Sequence, residues 1–166
     1  MKELLVIRHA KSSWDHPGLA DHDRPLNERG RAAAPRVAEE LVSWNCPPDA
    51  FVSSTAVRAF ETAKVVAAAF GRSDGEIVRV EELYGASARM ILKTVRQFDE
   101  NWERVAIFGH NPGFHDLVDR SLRKGSVERF PTCAVAHLEL DSDYWGAVEE
   151  GCAKLLRFVV PRDLGP

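Results

Sequence analysis

A four-residue apolar run, Leu4-Leu5-Val6-Ile7, ends abruptly in Arg8-His9, and that junction restricts the fold more than any other stretch of the chain. Apolar at consecutive positions, the run reads as a short strand covered on both faces, the pattern of a mostly parallel sheet packed between helices. A cation and an imidazole side by side do not belong in such an interior. At the carboxyl end of the strand, however, they face the crevice where open α/β sheets bind ligands. Arginine offers a planar fork to phosphate or carboxylate, and a neutral histidine beside it is a nucleophile or base near neutral pH.

The junction recurs twice. Val105 to Phe108 lead through Gly109 into His110, after which Asn111 suits a helix N-cap and Pro112 the first helical position. Ala50 to Ser53 read as a strand, Ser54 or Thr55 can cap, and Arg58 falls in the first turn of the helix that follows. If the sheet is parallel, the three junctions bring together two arginines, two histidines and two helix N-termini, an anion site with a nucleophile in it. An arginine in a first helical turn opposes the helix dipole, so Arg58 calls for a negative partner.

The 166 residues, 45% hydrophobic and 28% charged, suit one domain over 1–166 with a single well-buried core. A net charge of −3, with both signs interspersed, gives no long-range pull on nucleic acid, and Trp14, Trp44, Trp102 and Trp145 are too dispersed to stack bases. Cys46, Cys133 and Cys152 are odd in number and lack a CxxC, which points to reduced thiols rather than disulfides or a zinc site. No apolar run reaches membrane-spanning length and no signal peptide is recognised, so a cytoplasmic protein without membrane contact is expected.

Between the first strand and Gly30 the chain is polar and turn-rich, a loop of about fifteen residues of the sort that is usually functional. Asn27 can cap the next helix, with Val37, Leu41 and Trp44 inward. Pro35 in its interior should cost about 3 kcal/mol, which predicts a kink or a start near residue 32. A helix from about 55 to 70 is expected to bury Val57, Val65, Val66 and Ala69, with Arg58 and Thr62 sharing a face. Ile77 to Val80 is a strand. Ser87 can cap a helix to about Asp99 with Met90, Ile91, Val95 and Phe98 inward. A helix over 111–123 follows the strand at 104–108, and Ala134 to Leu140 and Lys154 to Val160 read as an antiparallel pair.

These residues carry a resemblance. The blocks RHAKSSW (8–14), DRPLNERG (23–30), SSTAVRAFETA (53–63), EELYGAS (81–87), GHNPG (109–113) and PTCA (131–134) follow in order the pattern of the histidine phosphatase superfamily. Within it the chain resembles the small SixA-like phosphohistidine phosphatases. Ala10 stands where the superfamily's opening signature usually has glycine, and SixA-like members often carry RHAKSSW as here. The resemblance implies a three-layer α/β/α sandwich of the phosphoglycerate-mutase-like type with a mostly parallel sheet. Only one short strand, one helix and their loops fit between Gly71 and Glu103, so no lid domain is expected.

It also implies a metal-independent phosphatase without cofactor, in which His9 forms a phosphohistidine while Arg8, Arg58 and His110 bind the phosphate. Larger relatives take a proton donor from the region of Glu81 and Glu82; either glutamate fits, and an exposed structural pair fits equally. By resemblance the substrate is phosphohistidine on a protein, with a small phosphomonoester as the alternative and a non-catalytic phosphate-recognising adaptor as a second one. His16 and His22, near Asp15, Asp21 and Asp23, lack metal-ligand spacing and read as a solvated loop, while Ser12 or Asp15 can line the substrate approach. His115 and His137 carry no functional argument.

Overall fold

The structure, a computed structural model, describes residues 1–165. In chain order it holds β1 (Lys2–Arg8), α1 (Glu28–Ser43), β2 (Ala50–Ser54), α2 (Val57–Ala69), β3 (Ile77–Val80), α3 (Ala88–Val95), β4 (Arg104–Gly109), α4 (Gly113–Ser121), β5 (Val135–Leu140) and β6 (Ala153–Val159). The strands form one sheet in the order β3-β2-β4-β1-β5-β6. β3, β2, β4 and β1 pair in parallel, and β5 runs antiparallel to both β1 and β6.

Both faces of this sheet are covered. Leu5, Ile7, Phe51 and Phe108 pack against Ala34, Val37 and Leu41 of α1 and Ala63, Val66 and Ala67 of α2. On the other face Leu4, Val6, Val52 and Ile107 meet Ile91 and Val95 of α3 and Phe114, Leu117 and Val118 of α4. The result is a three-layer α/β/α sandwich, and it explains why Leu4 through Ile7 are apolar without alternation. Each such side chain stabilises the fold by roughly 1.5–3 kcal/mol through burial. The register brings the junctions together: Arg8 pairs with Gly109 and Ser53 with Phe108, so β1, β2 and β4 end at one edge. Among the described residues no helix is long and apolar enough to cross a membrane.

Local differences from the sequence expectations have physical causes. α1 begins at Glu28, capped by Asn27, whose side chain accepts from Gly30 N at 2.8 Å, and it runs through Pro35 without a later start. Pro35 is exposed, so water can take up the Arg31 carbonyl that loses its usual donor. The inner stripe of α2 is Arg58, Ala59, Thr62, Ala63, Val66 and Ala67; Val57 and Val65 are half-buried and Ala69 is exposed. Alanine gives a weak hydrophobic signal, and the buried arginine shifts the face. α3 is capped by Ser87 but stops at Val95, and Met90 is exposed rather than inward because Ile91, Leu92 and Val95 already fill the face toward the sheet. Between Gly71 and Glu103 the chain holds β3, α3 and two 3-10 turns, without a long insertion.

Candidate active site

Arg8 ends β1, and the next peptide is held from two sides: His9 N donates to Gly109 O at 3.0 Å, and Cys133 N donates to His9 O at 2.9 Å. From α2, Thr62 Oγ1 accepts from Ala10 N at 3.0 Å and donates to Arg58 O at 2.8 Å. The helical spacing of Arg58 and Thr62 thus ties the arginine's turn to the loop leaving His9. The ring of His9 is pinned by Nδ1, 2.7 Å from Ala10 O. A carbonyl can only accept, so Nδ1 carries the hydrogen and Nε2 keeps its lone pair.

His110 follows β4, its ring centroid 5.2 Å from that of His9, and its Nε2 lies 2.8 Å from Ser54 Oγ at the end of β2. That contact corrects the expectation that Ser54 or Thr55 caps α2: the helix starts after Ala56 without a side-chain cap, and Ser54 Oγ accepts from Ala56 N while facing His110. At the β4 junction the helix starts at Gly113, two residues later than the spacing suggests. Asn111 still serves the turn: its Oδ1 accepts from His115 N at 3.2 Å and its Nδ2 donates to Phe130 O at 2.8 Å, the carbonyl that also accepts from Arg8 Nη1 at 3.2 Å.

The electrostatics are those of a cationic pocket with two neutral imidazoles. Burial, helped by Arg58, Arg8 and Arg24 and opposed by the Ala10 carbonyl, pushes His9 down to about 4. Burial, His9 and Arg58 push His110 down to about 3. Four buried side-chain nitrogens lack a hydrogen-bond partner among the described residues, and three of them, Arg8 Nε, Arg58 Nε and His110 Nδ1, belong to this cluster. The two guanidinium N–H groups are donors, costly to leave unsatisfied unless a ligand supplies oxygens.

The loop contributes what the sequence reading missed. Asp21 Oδ2 accepts from Arg58 Nη2 at 3.0 Å and from the Tyr84 hydroxyl, Asp21 O accepts from Arg58 Nη1 at 2.7 Å, and Asp21 Oδ1 accepts from Arg24 Nε at 3.1 Å. Hydrogen bonds from Tyr84, Arg58 and Arg24 hold this carboxyl well below the usual carboxylate range. It is the negative partner that Arg58 requires. His22 Nε2 meets Thr55 Oγ1 at 2.8 Å and its ring stands edge-on to Tyr84, which in turn stands edge-on to His110. Asp21 and His22 are therefore anchored over the site, while Asp15, His16 and Asp23 are exposed as expected, and nothing in the composition of the loop distinguishes Asp21 from Asp15 or Asp23.

The pocket, about 290 Å³, is lined by Arg8, His9, Lys11, Ser12, Trp14, Arg24, Arg58, His110, Asn111 and Thr132. Larger depressions lie elsewhere, of about 630, 510, 480 and 420 Å³; the last is lined by the exposed His16, and the other three are lined by no histidine. Of the two residues suggested for the substrate approach, Ser12 lines the pocket and Asp15 lines a neighbouring depression. Glu81 and Glu82 are exposed in the turn before Tyr84; Glu82 lines the 480 Å³ depression, and neither lines the His9 pocket. His137 is buried away from the pocket, bonded to Glu3 and stacked on Trp44.

The model of the histidine phosphatase superfamily (branch 1) matches residues 4–89. The chain belongs to this superfamily. That places it among proteins with phosphatase- or mutase-type catalysis. Among similar proteins is an uncharacterized protein of Mycobacterium tuberculosis, 34% identical over 94% of this chain and 100% of its own length. An uncharacterized chloroplastic protein of Arabidopsis thaliana is 30% identical over 87% of this chain and 69% of its own. Among solved structures, SixA of Agrobacterium tumefaciens superposes with a TM-score of 0.79 at 28% identity, covering 96% of this chain and 99% of that one. The protein histidine phosphatase SixA complexed with tungstate gives 0.81 at 19% identity over 97% and 98%, a likeness of fold alone.

Proposed function

We propose that this histidine phosphatase hydrolyses its substrate through a phosphohistidine on His9, and that the substrate is phosphohistidine carried by a protein. The carrying observation is the pinned, neutral ring of His9 beside the guanidinium groups of Arg8, Arg24 and Arg58. Nε2 of His9 attacks phosphorus in line, the bond to the leaving group breaks and its electron pair departs with that group. Water then attacks the same phosphorus, the P–N bond breaks and His9 is regenerated, two easier displacements replacing one. Arg8, Arg58 and His110 hold the equatorial oxygens as charge redistributes.

Two features favour an imidazole leaving group over an alkoxide. Among the described residues, none of those lining the pocket is Asp or Glu, which favours a leaving group that needs no carboxylic acid. Protonated imidazole has a pKa near 6.5 and leaves without a strong acid, whereas water and alcohols lie near ~15 and need one. Secondly, a pocket of about 290 Å³ is at the lower limit for enclosing a small ligand, but it admits a phosphorylated side chain standing out from a protein surface. The SixA of Agrobacterium tumefaciens, which bears the name of a phosphohistidine phosphatase, agrees with this reading. In the small-phosphomonoester alternative Glu81 or Glu82 would have to reach the leaving oxygen. No step of this scheme is assigned to a metal, and the Asp21 carboxylate, beside Arg24 and Arg58, is engaged by three donor side chains.

Rapid mixing with phosphate-labelled substrate followed by quench tests the reading. Acid-labile label should appear on His9, and His9→Ala should lose both label and turnover. Activity should survive a strong chelator. Full turnover by His9→Ala ends the proposal, binding without label favours the adaptor, and a free aryl or sugar phosphate outcompeting a phosphohistidine protein by about tenfold in kcat/KM moves the substrate to the small-molecule alternative.

A further inference from the structure

A second depression, of about 510 Å³, adjoins the His9 pocket and shares Lys11 and Thr132 with it. Its lining includes Lys11, Arg29, Arg36 and Arg162, and among the described residues it has no carboxylate. None of those four cations forms an ion pair with a described carboxylate. Their acidic chain neighbours Glu28 and Asp163 line adjoining depressions instead. On a chain with a net charge of −3, this is a local reversal of sign.

The groove follows from how α1 is built and where it sits. Arg29, Ala32, Ala33 and Arg36 recur at i, i+3, i+4 and i+7, one face of a helix, with two alanines as a low floor between two arginines. Gly30 presses that helix against the backbone of Lys11, two residues beyond His9 and hence about 7 Å along the chain. Pro161 and Arg162 form the far wall, fixed by Arg36 Nη2 donating to Pro161 O at 2.7 Å, while Arg36 Nε is buried without an acceptor. Uncompensated cations on one face repel one another, and an anion placed among them removes that repulsion.

We propose that this groove receives a second anionic group of the substrate, a carboxylate or phosphate set beside the scissile phosphoryl group. The inference rests on phosphoryl transfer at His9 and adds to it a substrate class: dianionic in arrangement, with one anion in the reacting pocket and one among Arg29, Arg36 and Arg162. On a phosphoprotein the second anion is an acidic side chain flanking the phosphohistidine; on a small molecule it is a second phosphate or a carboxylate. Binding energy gained there, away from the reacting centre, lowers the barrier when it is realised in the transition state.

The test uses two matched substrate pairs and the Arg29→Gln/Arg162→Gln double variant. One pair is a phosphohistidine peptide flanked by Glu and its Gln-flanked counterpart; the other is an aryl phosphate with and without a carboxylate. The protein should prefer the acidic member of a pair by about tenfold in kcat/KM at low salt, and the ratio should collapse to within about twofold in the double variant. A preference confined to the aryl pair assigns the groove to small dianions; equal rates within both pairs overturn the inference. A calorimetric arm with a hexaglutamate peptide needs no turnover. Binding about tenfold weaker in the double variant supports the groove even if His9 is never labelled, and equal binding counts against it whatever His9 does.

Discussion

Asp21 grips Arg58 through both its carboxylate and its main-chain carbonyl, at 3.0 and 2.7 Å, so a residue of the long loop fixes the guanidinium that lines the His9 pocket. The same carboxylate is held by Tyr84 and Arg24. Arg58 is therefore aimed before any ligand arrives, the condition under which a donor acts most strongly on developing charge.

Asp21→Ala should consequently lower kcat/KM by about 10- to 100-fold, since a guanidinium misplaced by about 1 Å forfeits that much. Tyr84→Phe leaves both Arg58 contacts in place and should cost less. A full kinetic profile of the two variants checks the order; an Asp21→Ala enzyme equal to wild type would remove Asp21 from any positioning role.

Arg58→Lys tests the fork itself. Lysine keeps the charge, but its three N–H groups radiate from one nitrogen and cannot reproduce the planar fork whose Nη1 and Nη2 reach Asp21 O and Asp21 Oδ2 separately while the guanidinium faces the pocket. A loss of about 10²–10³ in kcat is expected, the range for removing one well-placed oxyanion donor. Stopped-flow measurement of the phosphorylation step would locate it.

The two depressed histidines give pH dependences of defined sign. His9 titrates at about 4 when folded against an ordinary 6.5, so between those values the unfolded chain binds the extra proton and stability falls as the pH drops through that window. The contribution is on the order of 3 kcal/mol for His9, with His110 acting in the same direction. Denaturant titrations at pH 7 and 4.5 should show the loss, and His9→Asn should reduce it to the part that His110 contributes. Activity follows the same groups. Corrected for the second ionisation of the phosphoryl group near ~6, the acid limb of kcat/KM should lie near 4. A limb at 6.5 would mean that the free enzyme does not hold His9 neutral.

Chain-local patterns make much of this legible. Leu4 to Ile7 followed by Arg8-His9, and Val105 to Phe108 followed by Gly109-His110, announce buried strands ending at a ligand crevice because period and polarity change at one residue. The role of Asp21 is not legible, because it depends on the path of an irregular loop that puts one of several similar carboxylates within reach of Arg58. Met90 and Ala69 depart from their expected faces for another reason: a helix face is chosen by the whole sheet it covers, and Ile91 or Val66 can outvote an apolar neighbour. Ser54 has the composition of a cap, but its hydroxyl faces His110 across two strands whose adjacency only the register reveals.

Gly30 links the fold to the site and makes the most direct stability test. A Cβ built there would lie 2.1 Å from Lys11 O and 2.9 Å from Lys11 N, both backbone atoms that cannot swing aside. Alanine is ordinarily favoured over glycine inside a helix by about 1 kcal/mol. At this position the gain is outweighed, because relieving the overlap must shift α1 from the β1 exit and strain the hydrogen bond from Asn27 N to Lys11 O at 2.9 Å. Overpacking costs typically ~1–3 kcal/mol and the lost hydrogen bond about 1 more, so with the propensity gain subtracted Gly30→Ala should destabilise by a net ~1–3 kcal/mol. The loop that moves begins two residues after His9, and kcat/KM should fall as well. Gly75, where an added Cβ would meet nothing within 4 Å and φ is not positive, is the control; Gly75→Ala should stay within about 0.5 kcal/mol of wild type. The measurement is the denaturation midpoint at unchanged slope, and a Gly30→Ala protein as stable as wild type would show that helix α1 does not approach Lys11 this closely.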